Sequence, residues 1–235
     1  MSEPLVRYTQ EDKVAVIAMD DGKANALSVQ MIDELLAALE RAEREASAVL
    51  LTGRPEKFCA GFDLEVMRGG DPAAISTLVS DGGALVRQLY GSGVPVVAAC
   101  TGHALAAGAL VLLGCDLRIG ADLDCKIGLN EVAIGMVLPE WALTIAVERL
   151  SRRHLQSAVA LARVSDGRGA VDAGFLDEVV GEADVLETAV SAAAAMGALS
   201  RRAYAGTVRA LRGDVLARME AQIAADRAAG AVPGI

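Results

Sequence analysis

The stretch VPVVAACTGHALAAGALVLLGCDLRIGADLDCKIGLNE, Val94 to Glu131, changes character as it runs. It opens as a β-rich apolar run through Val94, Val96 and Val97. It turns at Thr101-Gly102-His103 and continues as a small-residue helix from about Leu105 to Leu113. Leu117 to Gly120 reads as a second strand, and the loop beyond it delivers a lone carboxylate, Glu131, among apolar neighbours. Strand, Gly/Ala-rich turn, helix start and delivered acid suit the stabilisation of an anion at a helix N-terminus. A buried core segment without chemistry has the same composition, so the pattern alone leaves both readings open. A membrane span is excluded, although residues 94–113 are nearly uncharged and almost long enough. Pro95, Gly102 and His103 break the run, and Asp116 and Arg118 follow at once.

Outward on the N-terminal side, Val14 to Met19 is a strand and Asp20-Asp21-Gly22 its turn. Ser28 is placed to cap a helix whose apolar residues Met31, Ile32, Leu35, Leu36 and Leu39 fit a 3.6-residue period. Ala48 to Leu51 is again a strand, Thr52 to Pro55 a turn, and Phe58 to Leu64 a tight Gly-containing segment. Asp71 and Pro72 start a helix that runs to about Tyr90. On the C-terminal side Pro139 starts a helix, Ser151 is placed to cap the next, and Gly167-Arg168-Gly169 is expected to break it. Phe175 to Val180 resembles a short strand. An Ala-rich helix then runs from Ala183 to Ala229 with an interruption near Gly197 to Ser200. The fold class is α/β with mostly parallel, buried strands and no long linker. The apolar face from Leu199 through Leu211 to Met219 packs on its own domain or, on the sharper reading, against another subunit.

The 235 residues supply ample core for one large domain, or one domain with an appendage. A net charge of -9 argues against nucleic acid but not against a small anionic ligand met by locally gathered cations. The four cysteines, Cys59, Cys100, Cys115 and Cys125, have no CxxC spacing and lie beside small or apolar residues. They read as buried hydrophobes in a reducing compartment, with no metal site. The N-terminus, MSEPLVRYTQEDK, lacks the apolar region of a signal peptide, so a cytoplasmic location is expected. No GxGxxG follows a strand, and no GxxxxGK[ST], HExxH or DxDxDG occurs. His103 and His154 read as structural or solvent-facing.

Four segments carry a family resemblance: NALS (25–28), FCAGFDL (58–64), PVVAACTGHALAAGALVLLGCDLRI (95–119) and IGLNEVAIG (127–135). In order and rough spacing they resemble the crotonase, or enoyl-CoA hydratase/isomerase, family, and the likeness covers nearly the whole chain. It implies the crotonase fold, repeated ββα units in a spiral, as a core over residues 1–180. It also implies a C-terminal helical region over 181–235 that helps form homotrimers, often paired into hexamers. The substrate it implies is an acyl-CoA thioester of fatty-acid metabolism, with coenzyme A part of the substrate and no separate cofactor.

The resemblance also assigns residues. The two oxyanion-hole donors are the backbone N–H of Phe62, after the glycine of AGxD, and that of Ala107, where the family commonly has glycine. Two such donors at a helix N-terminus would hold an enolate oxygen. Contacts to the coenzyme A part fall to Lys23, Ala24, Ala26, Leu27, Lys57, Ala60, Phe62, Asp63 and Leu64, with Lys23, Arg54, Lys57 and Arg68 as candidates for its phosphates. For Asp63 a structural role at the tight turn is the expectation. Family hydratases carry two glutamates; the second matches Glu131 and the first matches Leu110, which cannot activate water. IGLNE followed by Pro139 and Trp141 is similar to the mitochondrial-type Δ3,Δ2-enoyl-CoA isomerases, which also have leucine at the first position and work with one base. Glu131, flanked by Leu129, Val132 and Ile134, is expected to have a pKa raised by desolvation and to move a proton from C2 to C4 of a 3-enoyl-CoA. Hydration, another reaction on the same fold, and acyl-CoA binding without turnover are the alternatives.

Overall fold

The computed structural model describes residues 3–230. Strands β1 (Val6–Glu11) and β2 (Val14–Met19) form an antiparallel hairpin whose turn holds Asp12 at φ 52°. β3 (Ala26–Leu27) leads to α1 (Val29–Glu45), where the Ser28 side chain accepts from Met31 N at 3.2 Å and caps the helix. Then come β4 (Ala48–Thr52), β5 (Glu56–Cys59), β6 (Gly61–Phe62) and the short α2 (Leu64–Arg68). α3 (Pro72–Tyr90) opens with Asp71 accepting from Ala73 N and with proline in its first turn, where a missing N–H costs nothing. The chain continues through β7 (Val96–Cys100), β8 (Gly102–Leu105), α4 (Ala107–Gly114), β9 (Leu117–Ala121), β10 (Ile127–Gly128) and α5 (Glu140–Arg149). It ends with α6 (Leu155–Val159), α7 (Gly167–Ala173), β11 (Glu178–Val180), α8 (Val185–Gly197) and α9 (Arg201–Ala229).

The large sheet has the order β1-β2-β4-β7-β9-β11 and is parallel apart from its first pair. A three-stranded parallel sheet, β10-β8-β5, lies beside it, and β3 pairs with β6. Each turn of the spiral gives one strand to each sheet: β4 then β5, β7 then β8, β9 then β10. Alternate side chains of the large sheet serve two cores. Val49 and Leu51 face the main core with Met31, Leu35 and Val86, whereas Ala48 and Leu50 face Val185, Ala189 and Ala193 of α8. Burial on both faces explains the near-continuous apolar strands. The helices after residue 180 therefore share the core with the residues before it. α9 lies along α3 and α5: Ser76 Oγ donates to Asp226 O at 3.1 Å and Arg87 Nε to Leu216 O at 3.2 Å. Along the apolar face expected there, Val208 and Met219 are buried, while Leu199 and Leu211 stay exposed.

Three local expectations are corrected. Gly102–Leu105 is strand β8, and the helix after it starts at Ala107. GHAL has no apolar alternation, and its extended form comes from pairing with β5 and β10 on either side. Gly167-Arg168-Gly169 begins α7 instead of ending a helix, because Asp166 accepts from Gly169 N at 2.8 Å. Ser151 acts through its carbonyl, which accepts from His154 N and Leu155 N, and the residue before α6 is His154. No helix among the described residues is long and apolar enough to cross a membrane.

Candidate active site

The three strands of the small sheet each end at a different wall of one cavity. β5 runs into Ala60-Gly61-Phe62, β8 into Ala106 and the start of α4, and β10 into Asn130-Glu131. Ligands gather at the carboxyl ends of parallel strands for this reason: the chain leaves the sheet there and exposes its backbone groups. The cavity measures about 480 Å³. Its walls beyond those three segments are mostly apolar: Leu64, Met67, Val79, Leu110, Met136 and Trp141 among them.

Backbone geometry at the first two walls is unusual. Gly61 has φ +101°, and a Cβ there would meet Ala106 Cβ at 3.0 Å and Leu105 O at 3.1 Å, so only glycine allows β6 to touch the start of α4. Leu27 is paired with Phe62, and its carbonyl takes the N–H of Asp63 at 3.1 Å. Phe62's own N–H therefore points away from β3. Ala106 takes φ 50° and ψ -123°, a region costly to any residue with a Cβ. It is held there by Ala106 N donating to Gly128 O at 3.0 Å, while its own carbonyl accepts from Ala109 N and Leu110 N. Ala107 follows as the first residue of α4, so its N–H has no partner within the helix. Nothing in the run Ala106-Ala107-Gly108 announces which residue takes the positive φ.

The third wall supplies the acid. Glu131 is 8% exposed, and its Oε2 has no hydrogen-bond partner among the described residues. Desolvation pushes its pKa up to about 7 from an ordinary 4.5. The carbonyl of Glu131 accepts from Ile134 N at 3.0 Å and Met136 N at 2.9 Å, which folds the loop back on it and fixes its backbone. Leu110, buried, shares the cavity with this carboxyl. Asn130 also lines the cavity, and its Oδ1 is unpartnered among the described residues.

The other residues singled out from sequence are placed as follows. Ala24 O accepts from Ala60 N at 3.1 Å, which lays the 23–27 segment beside β5 and brings Lys23, Lys57 and Ala60 to one edge, all exposed. Arg54 joins them, but its guanidinium is engaged with Asp20 at 3.0 Å and with Lys23 O at 2.9 Å. Arg68 and Leu64 lie on the cavity wall, both exposed. Ala24 and Ala26 are half-buried, whereas Leu27 is fully buried and offers a ligand no side-chain surface. Asp63 accepts from Glu65 N at 2.8 Å and caps α2. His103 Nδ1 accepts from Lys126 N at 2.9 Å. Among the described residues no three His, Cys, Asp or Glu side chains are gathered as a metal would need.

One further residue shapes the site without a role that the sequence announces. Asn25, at φ 55° and fully buried, accepts from Asp21 N and donates to Met19 O and Phe58 O. It clamps the 20–27 segment to the end of β5, and its only sequence signal is its place at the head of NALS.

Residues 9–230 match the family model described as enoyl-CoA hydratase/isomerase. The chain belongs to that family. Within it the chain resembles the mitochondrial-type isomerase branch. It is 34% identical over 218 residues to enoyl-CoA delta isomerase 1, mitochondrial, of Homo sapiens, a match covering 91% of this chain and 72% of that protein. It is also 30% identical over 209 residues to a probable enoyl-CoA hydratase of Bacillus subtilis, covering 84% of this chain and 78% of that one. Among solved structures, the apo form of an Mtb enoyl-CoA isomerase superposes with a TM-score of 0.91 at 39% identity, covering 96% of this chain and 98% of that chain. The molecule thus has the crotonase fold of its enzyme family, and the relatives carry both isomerase and hydratase names.

Proposed function

We propose that this crotonase-fold enzyme acts on enoyl-CoA thioesters and moves the double bond of a 3-enoyl-CoA to give the trans-2-enoyl-CoA. The carrying observation is the isolation of Glu131: one buried carboxyl, its Oε2 without a hydrogen-bond partner among the described residues, lies in a mostly apolar cavity in which Leu110 stands at the position that matches a hydratase's first glutamate. The backbone N–H groups of Phe62 and Ala107 polarise the thioester carbonyl and hold the dienolate oxygen. Glu131 removes a proton from C2 and returns it at C4 as the carboxylic acid, and a pKa near neutrality lets one group do both. Water added to C3 needs a polar partner that the aliphatic surface of Leu110 does not give. On this reading the coenzyme A part extends past Ala60 toward Lys23, Lys57 and Arg68, and the chain assembles as a trimer or hexamer through its C-terminal helices. Light scattering at micromolar concentration checks the assembly.

The deciding experiment is kcat/KM for both reactions. Isomerisation is expected to exceed hydration of trans-2-enoyl-CoA by about two orders of magnitude, the value of one general acid–base group. Hydration as fast as isomerisation would overturn the reading, and turnover of neither would leave another reaction on the same fold or acyl-CoA binding without turnover.

A further inference from the structure

Helix α3 has two consecutive glycines, Gly82 and Gly83, in its interior. Glycine there destabilises a helix relative to alanine, so the pair calls for a local cause. The space is taken by rings. A methyl at position 82 would lie 2.5 Å from Cζ of Phe62 and closer still to its Cε1. One at position 83 would lie 2.9 Å from Cε2 of Trp141. Both residues line the cavity that holds Glu131, and so does Val79, one turn before Gly82 on the same face of α3.

The main chain of Phe62 is fixed on both sides, by Ala60 N donating to Ala24 O and Asp63 N to Leu27 O. A side chain at position 82 therefore has to be met by rotation of the ring. Phe62 touches α3 at Gly82 and lines the cavity, so a ring displaced from α3 has the cavity as its open space. We propose that Gly82 is a specificity-determining residue: its missing side chain seats the Phe62 ring in the wall of α3 and keeps the cavity open for the far part of a medium or long acyl chain. This rests on the reading of the cavity as an acyl-thioester site.

The test is Gly82→Ala, read by calorimetric titration with hexanoyl-CoA and decanoyl-CoA, saturated esters that require no turnover. The Kd for decanoyl-CoA should rise about tenfold or more, since each displaced methylene in an apolar pocket weighs heavily, while that for hexanoyl-CoA stays within about twofold. In the Phe62→Leu background, which lacks Cε1 and Cζ, the same substitution should leave the ratio of the two Kd values within about twofold. Phe62→Trp, which enlarges the ring instead of narrowing its seat, should give the same length-selective loss, so the test survives a Gly82→Ala chain that fails to fold. Equal weakening of both esters, or a length-selective loss that persists in the Phe62→Leu background, overturns the role of Gly82 alone. A wild-type chain that binds neither ester overturns the acyl-thioester reading and this inference with it.

Discussion

Two carboxylates with little access to solvent stand near opposite ends of α4, Glu131 buried and Asp116 largely so, and they are treated in opposite ways. Asp116, beyond the C-terminus, accepts from Val96 N at 2.7 Å and Tyr204 Oη at 2.8 Å, and pairs with Arg212 at 2.7 Å. Arg212 in turn donates to Tyr90 O and lies over the Tyr90 ring. Glu131, in the cavity at the N-terminal end, has no partner for its Oε2 among the described residues and a pKa pushed up to about 7. Burial alone does not make a carboxyl a proton-transfer group. Burial with too few donors raises the pKa toward neutrality, because the charged form then loses more in hydration than its one backbone hydrogen bond returns. Asp116 ties α9 to the sheet; Glu131 is left reactive.

The contrast breaks most sharply at Glu131. Glu131→Gln keeps the shape and removes the proton shuttle, so kcat for isomerisation should fall by about a hundredfold to ten-thousandfold while acyl-CoA affinity stays near wild type. A kcat above about a tenth of wild type would show that another group carries the proton.

The same variant should be the more stable one in alkaline solution. The folded chain holds the Glu131 proton up to about 7, whereas an exposed glutamate releases it near 4.5. Between those values the folded state binds more protons than the unfolded state, so stability falls as pH rises through this window and levels off above it. Glu131→Gln removes that loss, by about 3 kcal/mol at most. Thermal melts at pH 4 and pH 8 check the sign: the gain should be present at pH 8 and largely absent at pH 4.

Asp116→Ala should do the reverse. Stripping one partner from a buried ion pair leaves Arg212 uncompensated, which costs about 3–5 kcal/mol of stability by denaturant titration. The folded fraction should keep kcat within about twofold. A large kcat loss with unchanged stability would erase the distinction between the two acids. The smallest effect is expected at Ala106→Gly, which relieves the residue at φ 50° and should stabilise the chain by about 1 kcal/mol without moving its N–H bond to Gly128 O.

Much of the frame was legible before the structure. β2, β4, β7 and β9 are apolar runs bounded by turn residues, and α1 and α3 announce themselves by period and cap. The small strands were not legible: β6 and β10 are two residues long and exist only through their neighbours. The edge strand β1, mostly solvated, alternates only at Val6 and Tyr8 before Thr9, Gln10 and Glu11, too short a pattern to read. At the site, Glu131 stood out as a lone acid among apolar residues. Its missing partner, the left-handed turn at Ala106 and the seat of Phe62 on Gly82 depend on segments distant in sequence.

The spiral has a consequence for the order in which the molecule is made. Phe62, Ala107, Leu110, Glu131 and Trp141 have all been synthesised before residue 142, one wall of the cavity per turn. Their support comes last: α9, Arg201–Ala229, covers α3 and α5, with Ile223 against Gly83 and Asp226 against Ser76. A nascent chain therefore holds every one of these cavity residues while the helices behind the cavity still lack the cover of α9. A chain cut before Arg201 would leave the apolar faces of those helices uncovered and is expected to aggregate.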